Sequence, residues 1–153
     1  MQFLFNTFRY NFYRSQYDLP SDFRFNGYFI KIFGEGKLMA GEKSYVSYFS
    51  HIFFAKGTSI KIGDNVSIAH NVRIYSRTFD PRYFVTTGEK SFIDRDVVIG
   101  NNVIIGNNSF IMPGVVIGDN VVIGANSVVS KNIPSGAVFG GTPLKEIFNK
   151  GFQ

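Results

Sequence analysis

The sequence predicts an all-β fold, a parallel β-solenoid assembled from hexapeptides, and three observations carry that prediction. The first is a strict period of six from Ile93 to Pro134, read as IDRDVV, IGNNVI, IGNNSF, IMPGVV, IGDNVV, IGANSV and VSKNIP. The second is the content of the blocks. An aliphatic residue opens each one (Ile93, Ile99, Ile105, Ile111, Ile117, Ile123, Val129), and Asn, Asp or Gly stands three positions later in most. The third is the return of the same register upstream, in Ile62-Gly63-Asp64-Asn65-Val66, Ile68-Ala69-His70-Asn71-Val72 and Ile74. A helix repeats every ~3.6 residues and a strand every two, so a period of six suits neither. Short strands joined by tight turns suit it: the aliphatic residue points inward and the Asn, Asp or Gly takes the unusual turn dihedrals. Stacked repeats of this length cover one another's apolar faces.

A chain of 153 residues is one domain with enough length to bury a core. The first 27 residues form an aromatic, basic segment in which Phe5, Phe8 and Phe12 lie at helical spacing, so a short N-terminal amphipathic helix is expected. It is too short and polar to span a membrane and lacks the form of a signal peptide. Two roles stay open for it, an anchor at a membrane surface and, preferred, a helix packed on the solenoid or a neighbouring subunit. Leu19-Pro20-Ser21-Asp22 ends it. The solenoid is expected over 28–134, with irregular rungs over 28–59 in which Ile30, Ile32, Val46 and Ile52 point inward. After Ile74 the next opener is Ile93, so 76–91 leaves the solenoid as an inserted loop, a place where binding sites gather. Over 142–150 Thr142 can cap a helix that starts at Pro143, with Leu144, Ile147 and Phe148 on its apolar face and Gly151 as its stop. This C-terminal helix would close the open end of the solenoid.

Composition narrows the function classes. Cysteine is absent, which removes disulfides, thiolate metal sites and acyl-cysteine chemistry. The net charge is +5 without a block of consecutive Lys or Arg, which fits a phosphate-bearing small molecule better than nucleic acid.

The [Ile/Val]-Gly-x-Asn-Val run, the segment Met112-Pro113-Gly114-Val115-Val116-Ile117-Gly118 and the ending Phe139-Gly140-Gly141-Thr142-Pro143-Leu144-Lys145 resemble the hexapeptide-repeat acyltransferases, in particular the maltose, galactoside and polysaccharide O-acetyltransferases. The resemblance is specific over 60–145. It implies a left-handed parallel β-helix with three hexads per triangular turn, a homotrimer with its sites between subunits, and acetyl-CoA as acyl donor without a metal. It further implies a sugar hydroxyl as acceptor, in assembly of a surface polysaccharide. The expected location is the cytoplasm, with attachment to the inner membrane left open.

Acetyl transfer to a hydroxyl needs a base for the proton. The resemblance implies a histidine on the inserted loop, after an Ile-Tyr-Ser/Thr stretch, but Phe79 stands there. The candidates that remain are His51, His70 and Asp80. His51 falls where several relatives carry an active-site asparagine, and the serine acetyltransferases place a catalytic histidine on such an early coil. His70 sits in a hexad turn. A solvated carboxylate such as Asp80 is a weak base unless burial raises its pKa. His51 is ranked first, a site without a histidine base second and His70 third. Two histidines and no cysteine also argue against the three-histidine zinc site of the solenoid carbonic anhydrases. For the coenzyme the resemblance implicates Ser109, Gly124, Ala125, Ser127, Lys131, Thr142, Pro143 and Lys145, with Asn107 where relatives often have alanine. Two alternatives accompany the O-acetyltransferase: an N-acyltransferase on an amino sugar nucleotide, whose amine attacks without a strong base, and an inactive β-helix scaffold.

Overall fold

The computed structural model describes residues 2–149, with side chains from residue 7 onward. It is a left-handed parallel β-helix of about five coils, with two helices among the described residues. Each coil is a triangle whose sides stack into three parallel sheets. Face one holds β1 (Arg24–Asn26), β4 (Tyr45–Ser47), β7 (Ser67–Ile68), β12 (Ile104–Ile105), β15 (Val122–Ile123) and β17 (Ala137–Gly140). Face two holds β2 (Lys31–Gly34), β5 (His51–Phe54), β8 (Arg73–Tyr75), β13 (Phe110–Ile111) and β16 (Val128–Val129). Face three holds β3 (Lys37–Ala40), β6 (Ser59–Ile62), β11 (Val97–Ile99) and β14 (Val116–Ile117). The solenoid thus begins at Arg24 and ends at Gly140, beyond both limits of the expected 28–134.

The hexad supplies the core. Ile32, Ile52, Ile74, Ile111 and Val129 stack inside face two, and Ile68, Ile105 and Ile123 inside face one, all buried. Burying one such side chain is worth about 1.5–3 kcal/mol before entropy is charged against it. The corners are held by asparagines with positive φ, a conformation that Asn tolerates better than most residues. Asn71, Asn108 and Asn126 form one column, linked Nδ2 to Oδ1 at 2.9 and 3.1 Å, and Asn65, Asn102 and Asn120 form another at 3.0 and 3.3 Å. In the first two coils Phe29 and Phe49 occupy the matching turn at φ 60 and 61, so the expected irregularity of 28–59 lies in the corners while the inward residues keep their places.

The N-terminal helix forms as α1 (Gln2–Gln16), but it packs on a different stripe from the one expected. Phe8 and Phe12 face solvent, and the side chain of Phe5 lies outside the described residues. Tyr10 stacks on Phe25 at 4.5 Å and donates to the Gly27 carbonyl at 2.6 Å, Tyr13 is buried, and Tyr17 meets Phe54 edge-on. Tyrosine wins because the first coil offers unpaired backbone groups beside apolar surface, and a phenol satisfies both. α1 therefore closes the first end of the prism.

The C-terminal helix expected over 142–150 is absent from the described part of that stretch. Residues beyond a turn at Gly141 form β18 (Lys145–Asn149), antiparallel to β17 with Phe139 opposite Glu146 and Val138 opposite Phe148. The last parallel strand leaves a row of unpaired backbone groups, and a returning strand satisfies them where a helix would not. The helical spacing of Ile147 and Phe148 was misleading, since both are exposed. Gly151 lies outside the described residues.

The insertion is more ordered than a loop and longer than 76–91. β9 (Arg77–Phe79) and β10 (Phe92–Asp94) pair antiparallel around α2 (Pro81–Thr87). Ile93 therefore belongs to this hairpin, and after the insertion the register of six on the prism resumes at Ile99.

Candidate functional site

The corner between faces one and two gathers most of the candidates. His51 opens β5 directly after that corner, side chain outward and half-buried, with Lys31 of β2 and Arg73 of β8 as its ladder partners. Burial lowers the imidazole's pKa below its ordinary value of 6.5, and the positive charges of Lys31 and Arg73 push the same way. The ring is thus neutral at pH 7, the form in which it takes a proton. Among the described residues no side chain hydrogen-bonds to it.

His70 projects from the same corner one coil on, exposed, edge-on to Tyr48 at 5.3 Å. Its backbone N–H donates to Asn107 Oδ1 at 2.9 Å. Asn107 is thereby tied to the turn below it, and Ala125 occupies the matching turn two strands further along face one. Gly124 and the exposed Ala125 share this edge with Thr142, whose hydroxyl donates to the Asn126 carbonyl at 3.2 Å and which is followed by Pro143. From His51 to Ala125 the edge climbs three rungs, about 14 Å at ~4.8 Å each.

Two of the expected cofactor contacts do not face outward. Ser109 and Ser127 are buried in the corner, each donating to the Gly124 carbonyl, at 3.1 and 2.6 Å, and the Ser127 oxygen also accepts from Gly141 N–H. Their small polar side chains satisfy backbone groups where the chain bends, as Ser50 does for Ala69 and Val72 in the second coil. Lys145 is exposed on β18 opposite Gly140. Lys131 stands apart, its ammonium 5.4 Å from the ring of Phe139 at the C-terminal end of the prism.

The hairpin leaves from the far edge of face two, where Ser76 bonds the Phe53 carbonyl. Asp80 is the N-cap of α2: one carboxylate oxygen accepts from Arg82 N–H at 3.0 Å and Tyr83 N–H at 3.1 Å. That capping role explains an acidic residue there and occupies the carboxylate. Phe79, Phe84 and Phe92 cluster beside it with ring centroids 5.6 and 6.3 Å apart, so the hairpin presents an aromatic surface there. Arg77 grips Asp94 through two bonds of 2.6 Å and holds that carboxyl below its usual range. His51 and the hairpin thus border face two from opposite sides, and Asp80 is not brought to His51.

Sequence reasoning passed over the residues between them. Lys31 and Arg73 flank His51; Phe33, Phe53 and Tyr75 form a ladder of outward rings with centroids 5.0 and 5.8 Å apart, and Phe110, the ladder partner of Arg73, meets Tyr75 diagonally at 5.3 Å. The signal was present. Ile32, Ile52 and Ile74 share an inward column, so the residues before them must share an outward one.

A family model described as bacterial transferase hexapeptide (six repeats) matches residues 85–131. Among solved structures, the chain is similar to a maltose O-acetyltransferase from Clostridium difficile 630, with 33% identity over 94% of this chain and 75% of that one, TM-score 0.67. It is similar to a galactoside acetyltransferase in complex with coenzyme A, with 27% identity over 94% of this chain and 70% of that one, TM-score 0.73. A hexapeptide-repeat-containing acetyltransferase from Vibrio cholerae O1 biovar eltor, complexed with acetyl coenzyme A, shares the fold at 23% identity over 96% of this chain and 79% of that one, TM-score 0.73. No curated protein matches the chain.

Proposed function

The chain belongs to the hexapeptide-repeat acyltransferases, and from that premise we propose that it moves an acetyl group from acetyl-CoA to a sugar hydroxyl during surface polysaccharide assembly. One observation carries the reading: a neutral, half-buried imidazole stands on the same prism edge as the small exposed corner of Gly124, Ala125 and Thr142. The donor supplies an acetyl group already activated as a thioester. Gly124, Ala125, Thr142 and Pro143 leave room for its slender arm, and Lys145 offers charge to its phosphates. His51 takes the acceptor's proton as the new C–O bond forms and the C–S bond breaks, and passes that proton to the departing sulfur. Its depressed pKa keeps it unprotonated and able to do so at pH 7.

A prism edge is convex, so one chain encloses neither substrate there. A second copy standing against the edge would make the groove, and a homotrimer is the assembly we assign. An open cleft of about 500 Å³ lies elsewhere, between Tyr17 and Asp18 after α1 and Glu35 to Met39, and carries no candidate. The N-acyltransferase reading stands second. The aromatic hairpin and a histidine without an orienting carboxylate both suit an amine nucleophile that needs less help. Incubation with acetyl-CoA and paired hydroxy- and amino-sugars, with the product tested for ester or amide, separates the two. Formation of neither, with no thermal stabilisation by coenzyme A, would leave the scaffold. Sedimentation of a stable monomer at micromolar concentration would remove the shared site.

A further inference from the structure

We propose that the outer surface of face two binds an acceptor sugar bearing an anionic group, with Lys31 and Arg73 holding the anion on either side of His51 and the rings of Phe53 and Tyr75 meeting the sugar. The inference deepens the proposed transfer reaction and rests on it for the fate of the bound sugar.

The charge pattern of face two carries the first half. Lys31, His51 and Arg73 are consecutive ladder partners, all outward, so two full positive charges bracket an imidazole on adjacent rungs. Lys31 and Arg73 stand two rungs apart, about 9.6 Å at ~4.8 Å each, with the uncharged ring of His51 between them. The other two faces avoid the pattern: Lys37 pairs with Ser59, Lys61 lies between Met39 and Val98, and Arg24 pairs with Tyr45. Three cations elsewhere on the prism and hairpin have company, Arg24 over the Tyr45 ring, Arg77 on Asp94 and Lys131 over Phe139. Among the described residues the side chains of Lys31 and Arg73 have no ion-pair or hydrogen-bond partner. An anion over His51 would lie between the two heads and use both.

The aromatic ladder carries the second half independently. Phe53 and Tyr75 sit two residues along their strands from His51 and Arg73, about 6.6 Å at ~3.3 Å per residue, and stand roughly perpendicular to one another, at 77°. Both are half-buried and present ring surface to the space above the sheet. Apolar C–H faces of a pyranose pack against such rings, as amphipathic ligands do against aromatic surfaces. Cation, imidazole and ring are spaced on the scale of one monosaccharide with a charged substituent. The column above His51 turns apolar after Arg73, at Phe110 and Val128, so the charged part of this column is confined to the first three strands of face two.

The test follows the His51 imidazole by proton NMR in the full chain, without acetyl-CoA. Glucose 6-phosphate, glucuronate, glucose and inorganic phosphate are titrated at matched millimolar concentrations. The expected result is that one or both charged sugars bind and raise the His51 pKa, because a nearby anion favours the imidazolium, while His70 is unmoved. Which of the two binds identifies the anion as phosphate or carboxylate. In the double variant Lys31→Gln/Arg73→Gln affinity should fall at least tenfold, and Phe53→Ala should weaken the sugars without altering the response to inorganic phosphate. The inference is overturned if glucose binds as well as the charged sugars, if inorganic phosphate matches them, if nothing binds, or if the double variant binds unchanged. Because no turnover is read, an inactive protein leaves the test valid. Acetyl transfer to a neutral sugar with no anion binding would keep the proposed reaction and remove this inference alone.

Discussion

Replacement of Gly100 by alanine tests how the rungs stack. Gly100 lies where face three turns into face one, its N–H donating to the Ile117 carbonyl at 2.8 Å, while Asn101 N–H donates to Asp119 Oδ1 at 2.6 Å. A Cβ on Gly100 would stand 2.4 Å from that carboxylate oxygen, 2.8 Å from the Gly118 carbonyl carbon and 2.9 Å from Asp119 N. Two of these three atoms are backbone of the next rung, so the coils must part by about half an ångström or more to reach ordinary contact. Overpacking of this kind costs about 1–3 kcal/mol, and two stretched hydrogen bonds add up to ~1 kcal/mol. Gly100→Ala is therefore expected to destabilise by about 1–4 kcal/mol. Gly57→Ala is the control: its φ is +80 with nothing within 4 Å of a Cβ, so only the left-handed backbone matters, at about 1–2 kcal/mol. Urea denaturation of both variants reads the difference. Gly100→Ala within about 0.5 kcal/mol of wild type, or milder than Gly57→Ala, would refute the close-approach account of the hexad glycine.

The pH dependence of kcat/KM should show an acid limb below 6.5, the ordinary histidine value, since burial and then Lys31 and Arg73 lower the pKa of His51. Lys31→Gln removes one of those influences and should move the limb to higher pH; a limb that stays or moves down contradicts the assignment. The same depression gives a stability effect of fixed sign. The unfolded chain binds the proton more readily, so His51 leaves stability unchanged above about pH 6.5 and erodes it as pH falls below that value. That erosion should be smaller in His51→Asn when denaturation midpoints are compared at pH 7 and pH 5. For Asp80, Asp80→Asn should preserve both the α2 cap and turnover, whereas Asp80→Ala should cost about 1 kcal/mol of local stability, read by hydrogen exchange in the hairpin. A fall of ~10²-fold or more in turnover for Asp80→Asn would make it a base after all.

The prism was legible because its signal is redundant: Ile99, Ile105, Ile111, Ile117 and Ile123 repeat one environment, and each is buried as expected. Where the chain leaves the repeat, the sequence carries less. Ile93 kept the period of six by coincidence while sitting in the hairpin. Leu144, Ile147 and Phe148 kept a helical spacing, yet the free edge of β17 decided their structure, and edge pairing is a tertiary demand that local spacing does not encode. In α1 the choice between Phe8 and Tyr13 turned on a backbone amide, that of Ile32, presented by the first coil. At the site, the sequence pointed to His51 by position but not to the charges around it, which arise only when residues twenty or so apart are stacked in register. Ser109 and Ser127 looked like groove residues because small polar side chains line grooves and corners alike.

The central claim is that His51 takes the acceptor's proton, and turnover of His51→Ala tests it most directly, measured with acetyl-CoA and an acceptor that the wild type acetylates. The account predicts a loss of about 10²–10⁴-fold in kcat with coenzyme A affinity unchanged, because the imidazole acts on the other reactant. Partial rescue by Phe79→His would show that hairpin and rung serve one site from the two borders of face two. Full activity in a folded His51→Ala protein would contradict the claim and leave the amine acceptor as the better reading.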